Sequence, residues 1–245
     1  MKPILLICFS LFFLTSIAQD KNAFYALDSN MNPATLETSK YLLWIHQKND
    51  NNWQWDYYYT WGPLIKSYSY ADHDGQVTNG RFYLYNRMGN LDSSGEFDHG
   101  KKNGSFYRLK SITDKKIVII SQYDYTLDSL IKYVRQTGDT VKKIPKDTAN
   151  NREAEYEGGL PQWTSYLSKN LQYPDRARDR NIHGQVQLGF MVNAEGVLSD
   201  IHLLKSVEYS LDQESVRVLN ESGKWSPCLI DGQPVNTCKT QTVDF

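Results

Sequence analysis

Proline is scarce in this chain, with eight in 245 residues and Pro145 alone between Ser111 and Gly159. A long, stiff proline-rich spacer is therefore excluded. Charge of one sign is missing as well: 27 Lys plus Arg face 28 Asp plus Glu, a net charge of -1, which excludes the basic footprint of a nucleic-acid binder. Beyond the first eighteen residues no apolar run reaches the length needed to span a bilayer. No Gly-x-Ser-x-Gly elbow, phosphate loop or dinucleotide fingerprint occurs. The histidines His46, His73, His99, His183 and His202 are scattered without metal-ligand spacing. Asp72-His73-Asp74-Gly75 lacks the oxygen ladder and closing Glu of a calcium loop, so it reads as a turn. No catalytic residue, no metal and no cofactor is expected. What is abundant is aromatic: 17 Tyr, 9 Phe and 6 Trp within a 40% hydrophobic composition predict a folded protein with packed, half-buried faces.

The amino-terminal segment reads as an export signal. Lys2 precedes an apolar run from Ile4 to Ile17, and Ser16-Ile17-Ala18 places small residues where a signal peptidase cleaves. Uncleaved, that run would form a helix of about 21 Å, short of a hydrocarbon core about 30 Å thick. Residues 1–18 are thus expected to be a signal peptide cut after Ala18, and the mature protein to be periplasmic; inner-membrane anchoring is the alternative. Cys8 lacks the small residue that a lipidation site wants before its cysteine. Cys228 and Cys238 remain for an oxidising compartment.

Two regions of different character follow. In the first, Gly80-Arg81-Phe82-Tyr83 recurs as Gly104-Ser105-Phe106-Tyr107, about 24 residues on, and each copy follows an Asn. Gly89-Asn90-Leu91, Gly95-Glu96-Phe97 and Gly100-Lys101-Lys102-Asn103 lie between them. A degenerate copy runs through Tyr57-Tyr58-Tyr59, Gly62-Pro63-Leu64 and Tyr68-Ser69-Tyr70. Alternation of apolar and polar residues, broken by Gly or Asn-Gly, predicts serial antiparallel hairpins. Over residues 55–110 this pattern resembles MORN-type repeats, which implies a β platform rather than a chemistry. Lys116 to Ser121 and Ser129 to Arg135 are expected to extend the sheet, with Thr137-Gly138-Asp139 as a turn. The β-rich domain is set at 19–141 and a polar linker at 142–152.

The second region, 153–245, reads as helix, strand, strand, helix, strand. Pro161 can open a helix, and Trp163, Tyr166, Leu167 and Leu171 recur at helical spacing. Tyr173-Pro174 ends it, and Pro174 can start a short second helix through Ala177. Val186, Leu188, Phe190 and Val192 alternate with Gln185, Gln187, Gly189 and Met191 as a strand with one buried face. Asn193-Ala194-Glu195-Gly196 turns it back into a partner strand through Leu204. Ser210 and Gln213 form a capping box for a helix with Leu211, Ser215, Val218 and Leu219 on its core stripe, and Gly223 stops it. Val235 to Phe245 is the last extended segment.

This order resembles the TonB C-terminal domain. The residues that carry the resemblance are Gly158-Gly159, Tyr173-Pro174 with Ala177, Gly184 with Val186, Phe190 and Val192, Gly196 with Leu198, Leu211-Asp212 with Glu214, Trp225 and Pro227, Gly232 with Pro234-Val235, and the terminal Val243-Asp244-Phe245. The implied fold is α+β: an antiparallel repeat platform followed by helices packed on a three-stranded antiparallel sheet. The implied partner is the TonB box peptide of an outer-membrane TonB-dependent transporter, which pairs beside the last strand. Carried over by position, Thr237, Lys239, Gln241 and Val243 lie on one side of that strand and form the peptide-binding edge, with the backbone doing most of the binding. Tyr173, Pro174, Gly184, Gly196, Leu211, Asp212, Trp225 and Pro227 are the structural motif residues. Force-transmitting members carry a retained anchor and a proline-rich spacer; the spacer is absent here and the leader is expected to be cleaved, so inner-membrane motor proteins are partners only if the anchor is retained. A homodimer through the sheet edges stays open. So does a second reading, a structural or adaptor envelope protein that holds proteins or cell-wall glycan without energy coupling.

Two further expectations concern side chains. Asp231-Gly232 is a tight-turn signal; a strict hairpin there sets Cys228 opposite Val235 and leaves Cys238 about three residues, roughly 10 Å, out of register for a disulfide. A bridge needs a longer loop, and two free thiols are the alternative. Trp53, Trp55, Tyr57, Tyr58, Tyr59 and Trp61 form the densest aromatic cluster, expected to pack between repeat hairpins, with sugar stacking as the alternative.

Overall fold

Side chains that alternate across a strand leave a hairpin with one apolar face it cannot bury by itself, and the repeat region solves this by continuing the sheet. A computed structural model of the chain describes residues 22–49, 52–113, 116–126, 129–135 and 150–245. The expected signal peptide, the Thr137-Gly138-Asp139 turn and residues 142–149 of the expected linker lie outside them. Strands β1 (Asn22–Leu27), β2 (Tyr41–Asn49), β3 (Asn52–Tyr59), β4 (Leu64–Tyr70), β5 (Thr78–Tyr85), β6 (Leu91–Asp98), β7 (Lys101–Thr113), β8 (Lys116–Thr126) and β9 (Ser129–Arg135) follow in the chain. They pair in that order as one nine-stranded antiparallel sheet.

The two faces of this platform differ. On β3, Gln54, Asp56 and Tyr58 are buried on one face, while Trp53, Trp55 and Tyr57 are half-buried on the other. Along that second face Tyr68 stacks on Phe82 at 5.4 Å, and Phe82 meets Phe106 at 5.5 Å. Gly95 sits beneath the last pair: a Cβ there would stand 2.6 Å from Phe106 and 2.8 Å from Phe82. The repeat glycine therefore leaves space for two rings from flanking strands to close over bare backbone. Aromatic packing runs from hairpin to hairpin along a single face.

The second region contains β10 (Glu155–Tyr156), α1 (Gly159–Asn170), α2 (Asp175–Arg178), β11 (Gln185–Val192), β12 (Leu198–Lys205), α3 (Tyr209–Asn220), β13 (Trp225–Ser226), β14 (Cys228–Ile230), β15 (Gln233–Val235) and β16 (Thr237–Asp244). β11 lies between β12 and β16 in a three-stranded antiparallel sheet. The fold is α+β. Pro174 caps α2 in an extended conformation, as its fixed φ favours. Gly196, at φ 78°, closes the β11–β12 turn, where a Cβ would lie 2.1 Å from the Trp225 carbonyl oxygen. That approach, together with the left-handed backbone, demands glycine.

Four expectations need correction. The cap of α3 is Glu208, whose carboxylate accepts from Ser210 N, so the helix starts two residues before a Ser210 capping box would place it. β11 is buried on both faces, with Gln187 9% exposed. The end of the linker is docked: Arg152 bridges Leu229, and Asn150 O accepts from Gly232 N. Finally, the bridge considered for Cys228 and Cys238 is not formed. Cys228 pairs with Val235 in a strict hairpin and is buried, Cys238 pairs with Met191 in β16 and is exposed, and both are free thiols.

One apolar core spans both regions. Leu42, Tyr58, Leu64, Tyr85 and Leu91 of the platform belong to the same buried cluster as Leu188, Leu203, Leu211 and Leu219. Hydrogen bonds cross the seam: Leu64 N donates to Ser206 Oγ at 2.7 Å, and Tyr85 Oη donates to Leu203 O at 2.9 Å.

Candidate functional site: the open edge of the C-terminal sheet

A residue in an antiparallel strand directs both its N–H and its C=O to one neighbour, and the next residue directs both to the other side. Gly184 and Phe245 exchange both backbone hydrogen bonds, at 3.1 and 3.0 Å. The β11–β16 register then continues without a shift. It follows that Val243, Gln241, Lys239 and Thr237 direct their backbone groups at β11. Asp244, Thr242, Thr240 and Cys238 direct theirs outward. Among the described residues β16 pairs with β11 alone. The carry-over by position thus placed four residues on one face as alternation requires, but the backbone groups that would meet an added strand belong to the other four. Val243 itself is buried in the core.

The side chains of the carried-over set still border the edge. Lys239, Thr240 and Gln241 line a groove of about 190 Å³ together with Tyr156, Leu160 and Trp163. Lys239 Nζ reaches Glu153 Oε2 at 2.9 Å across its outer side. Leu160 is 72% exposed, although it opens α1 beside this groove. Trp163 Nε1 is buried with no hydrogen-bond partner among the described residues. Trp163, expected as part of a helical stripe, packs on Trp225 at 5.4 Å and also lines the groove. Gly158 and Gly159, left-handed at φ 83° and 72°, set the start of α1 just before it.

The opposite flank of the sheet is tethered to the platform at the end of β12. Lys205 of β12 forms an antiparallel bridge with Asn90, and Ser206 N donates to Gly89 O at 2.9 Å. Asp200, in left-handed conformation at φ 55°, bulges β12 toward the platform, and its carboxylate meets Arg81 at 3.1 Å. A clamp secures the seam at α2: Arg176 Nε donates to the fully buried Glu208 at 2.6 Å, another guanidinium nitrogen donates to Thr60 O, and Trp61 lies 4.1 Å beneath it. Arg180 covers the same ring at 4.0 Å.

The motif residues are scaffold. Tyr173 Oη donates to Ile182 O at 2.6 Å, and its ring meets Phe245 edge-on at 5.8 Å. Trp225 Nε1 donates to Ser222 Oγ, its ring packs on Phe190 at 5.0 Å, and Pro227 leads from β13 into β14. Leu211 is fully buried, and Asp212 accepts from Ser206 Oγ and Val207 N. Burial pushes the Asp212 carboxyl up to about 8.

Residues 169–245 match the family model of the Gram-negative bacterial TonB protein C-terminal. This segment is a TonB C-terminal domain. A similar solved structure is the NMR solution structure of the Helicobacter pylori TonB-CTD, 21% identical, covering 37% of this chain and 88% of that chain with a TM-score of 0.28. No curated protein matches the chain. The TonB match begins ten residues after α1 opens at Gly159, and it does not extend to the repeats. No helix among the described residues is long and apolar enough to cross a membrane.

Proposed function

We propose that this is an exported, periplasmic TonB-like protein whose C-terminal domain, residues 153–245, docks an extended peptide as a fourth strand beside β16. The peptide is the TonB box of an outer-membrane TonB-dependent transporter, and docking supports transport across the outer membrane. The reading rests on one observation: the outward N–H and C=O groups of Cys238, Thr240, Thr242 and Asp244 have no strand beyond them among the described residues. Such an edge accepts a strand by main-chain hydrogen bonds, and the groove by Trp163 selects among side chains. The signal peptide, 1–18, supplies the compartment, and the MORN-like platform, 19–141, is the support. Inner-membrane motor proteins become partners only if the leader is retained as an anchor. A second copy pairing β16 with β16 competes for the same edge.

The test uses the mature full-length chain and TonB-box peptides N-methylated at alternate amides. Saturable binding that moves the amide resonances of Cys238, Thr240 and Thr242, and that one methylation register abolishes while the other spares it, is the expected outcome. Unmoved edge amides at millimolar peptide would falsify docking. A second reading, an adaptor that holds envelope proteins without energy coupling, is favoured by the core shared between platform and domain. It predicts that deleting the gene leaves transporter-dependent uptake unchanged.

A further inference from the structure

A cleft follows the seam where the platform meets β12 and α3. Two cavities lie there, one of about 190 Å³ and one of about 310 Å³. Tyr83 and His202 line both, their rings stacked at 5.3 Å and nearly parallel, so the stack is a common wall. In the first cavity Trp44 Nε1 and Asp56 Oδ1 are buried without hydrogen-bond partners among the described residues. The second oxygen of Asp56 meets His46 Nε2 at 3.0 Å. Leaving a buried donor or acceptor unmet costs about 1–3 kcal/mol. A polar group that both donates and accepts is what this pair lacks.

We propose that the seam binds a short neutral saccharide, one hydroxyl of which donates to Asp56 Oδ1 while accepting from Trp44 Nε1. A hydroxyl performs both roles at one atom; an ammonium only donates and a carboxylate only accepts. His46 and Lys48 already stand in the cavity with Asp56, which leaves no surplus negative charge to select a cation. Trp44 is itself stacked on Phe24 and His46, at 5.7 and 3.5 Å, which fixes its indole N–H, and Tyr83 and Tyr85 line the same cavity. The second cavity adds Ser94, Glu96, Ser105 and Tyr107, hydroxyl and carboxylate groups suited to a following sugar. The site needs both layers of the molecule, and it stands on the platform face opposite Trp53 and Trp55. It does not depend on peptide docking at β16.

The experiment titrates the full mature chain with cellotriose, maltotriose and chitotriose, and with glycine betaine and lysine as charged comparators, read by tryptophan fluorescence and by amide shifts. At least one trisaccharide is expected to bind saturably with a Kd of about 1 mM or tighter. Trp44→Phe and Asp56→Asn are expected to weaken it about tenfold, while Trp55→Phe on the other face does not. The proposal is overturned if no trisaccharide saturates by about 10 mM, if only a charged comparator binds, or if both seam variants bind as the wild type does. Should a variant fail to fold, the wild-type shifts decide: sugar-induced changes confined to β2, β3, β5 and β12 uphold the site, and changes elsewhere overturn it.

Discussion

Asp212 is a carboxyl group that the fold keeps neutral. Its side chain is fully buried in the first turn of α3, and desolvation raises its pKa to about 8 against hydrogen bonds from Ser206 and Val207 that pull it down. The nearby Glu208 charge adds to the rise. Its unfolded value is about 3.9, so between about pH 4 and about pH 8 the native state holds more protons than the unfolded one. Stability from this group is therefore full below about pH 4 and is lost as pH climbs to about 8. Asp212→Asn should flatten the dependence, by up to about 1.4 kcal/mol per pH unit, in urea denaturation across that range. Parallel curves for variant and wild type would show that Asp212 is already ionised in the native protein.

Among the elements, α2 has four residues and holds the seam out of proportion to its length. Truncating Arg176 to Ala leaves Glu208 buried without its cation, which should cost about 3–5 kcal/mol in denaturant melts. Adding Glu208→Gln should recover part of that loss; no recovery would mean that the Trp61 contact carries the clamp. Neither partner was visible in the sequence. Local pattern located α2 through Pro174, and it placed Cys228 opposite Val235, because both depend on neighbouring residues. The start of α3 was misplaced for the opposite reason: Glu208 is fixed by Arg176, 32 residues away, and no local motif encodes that pairing. The same limit applies to the β16 edge. Alternation assigned Thr237, Lys239, Gln241 and Val243 to one face, but only the Gly184–Phe245 pair reveals which backbone groups point outward.

At the scale of the molecule, platform and C-terminal domain share one buried core. Tyr85 and Leu203 meet across 118 residues and Leu64 and Ser206 across 142, separations that hydrophobic periodicity cannot report. Full-length protein is expected to unfold in a single transition by both tryptophan fluorescence and far-UV circular dichroism. Residues 150–245 alone would expose the seam faces of Leu203, Leu211 and Tyr209, and should melt lower than the full chain or aggregate. A separate domain transition at the same midpoint as the fragment would contradict the shared core.

The tether at the end of β12 has a mechanical consequence. Tension on a ribbon lying along β16 would run parallel to the strand, so its rungs would bear the load together in shear instead of parting one by one. The load would pass through β11 and β12 into Tyr85, Asn90 and the nine strands behind them, which gives a three-stranded sheet the backing of the larger one.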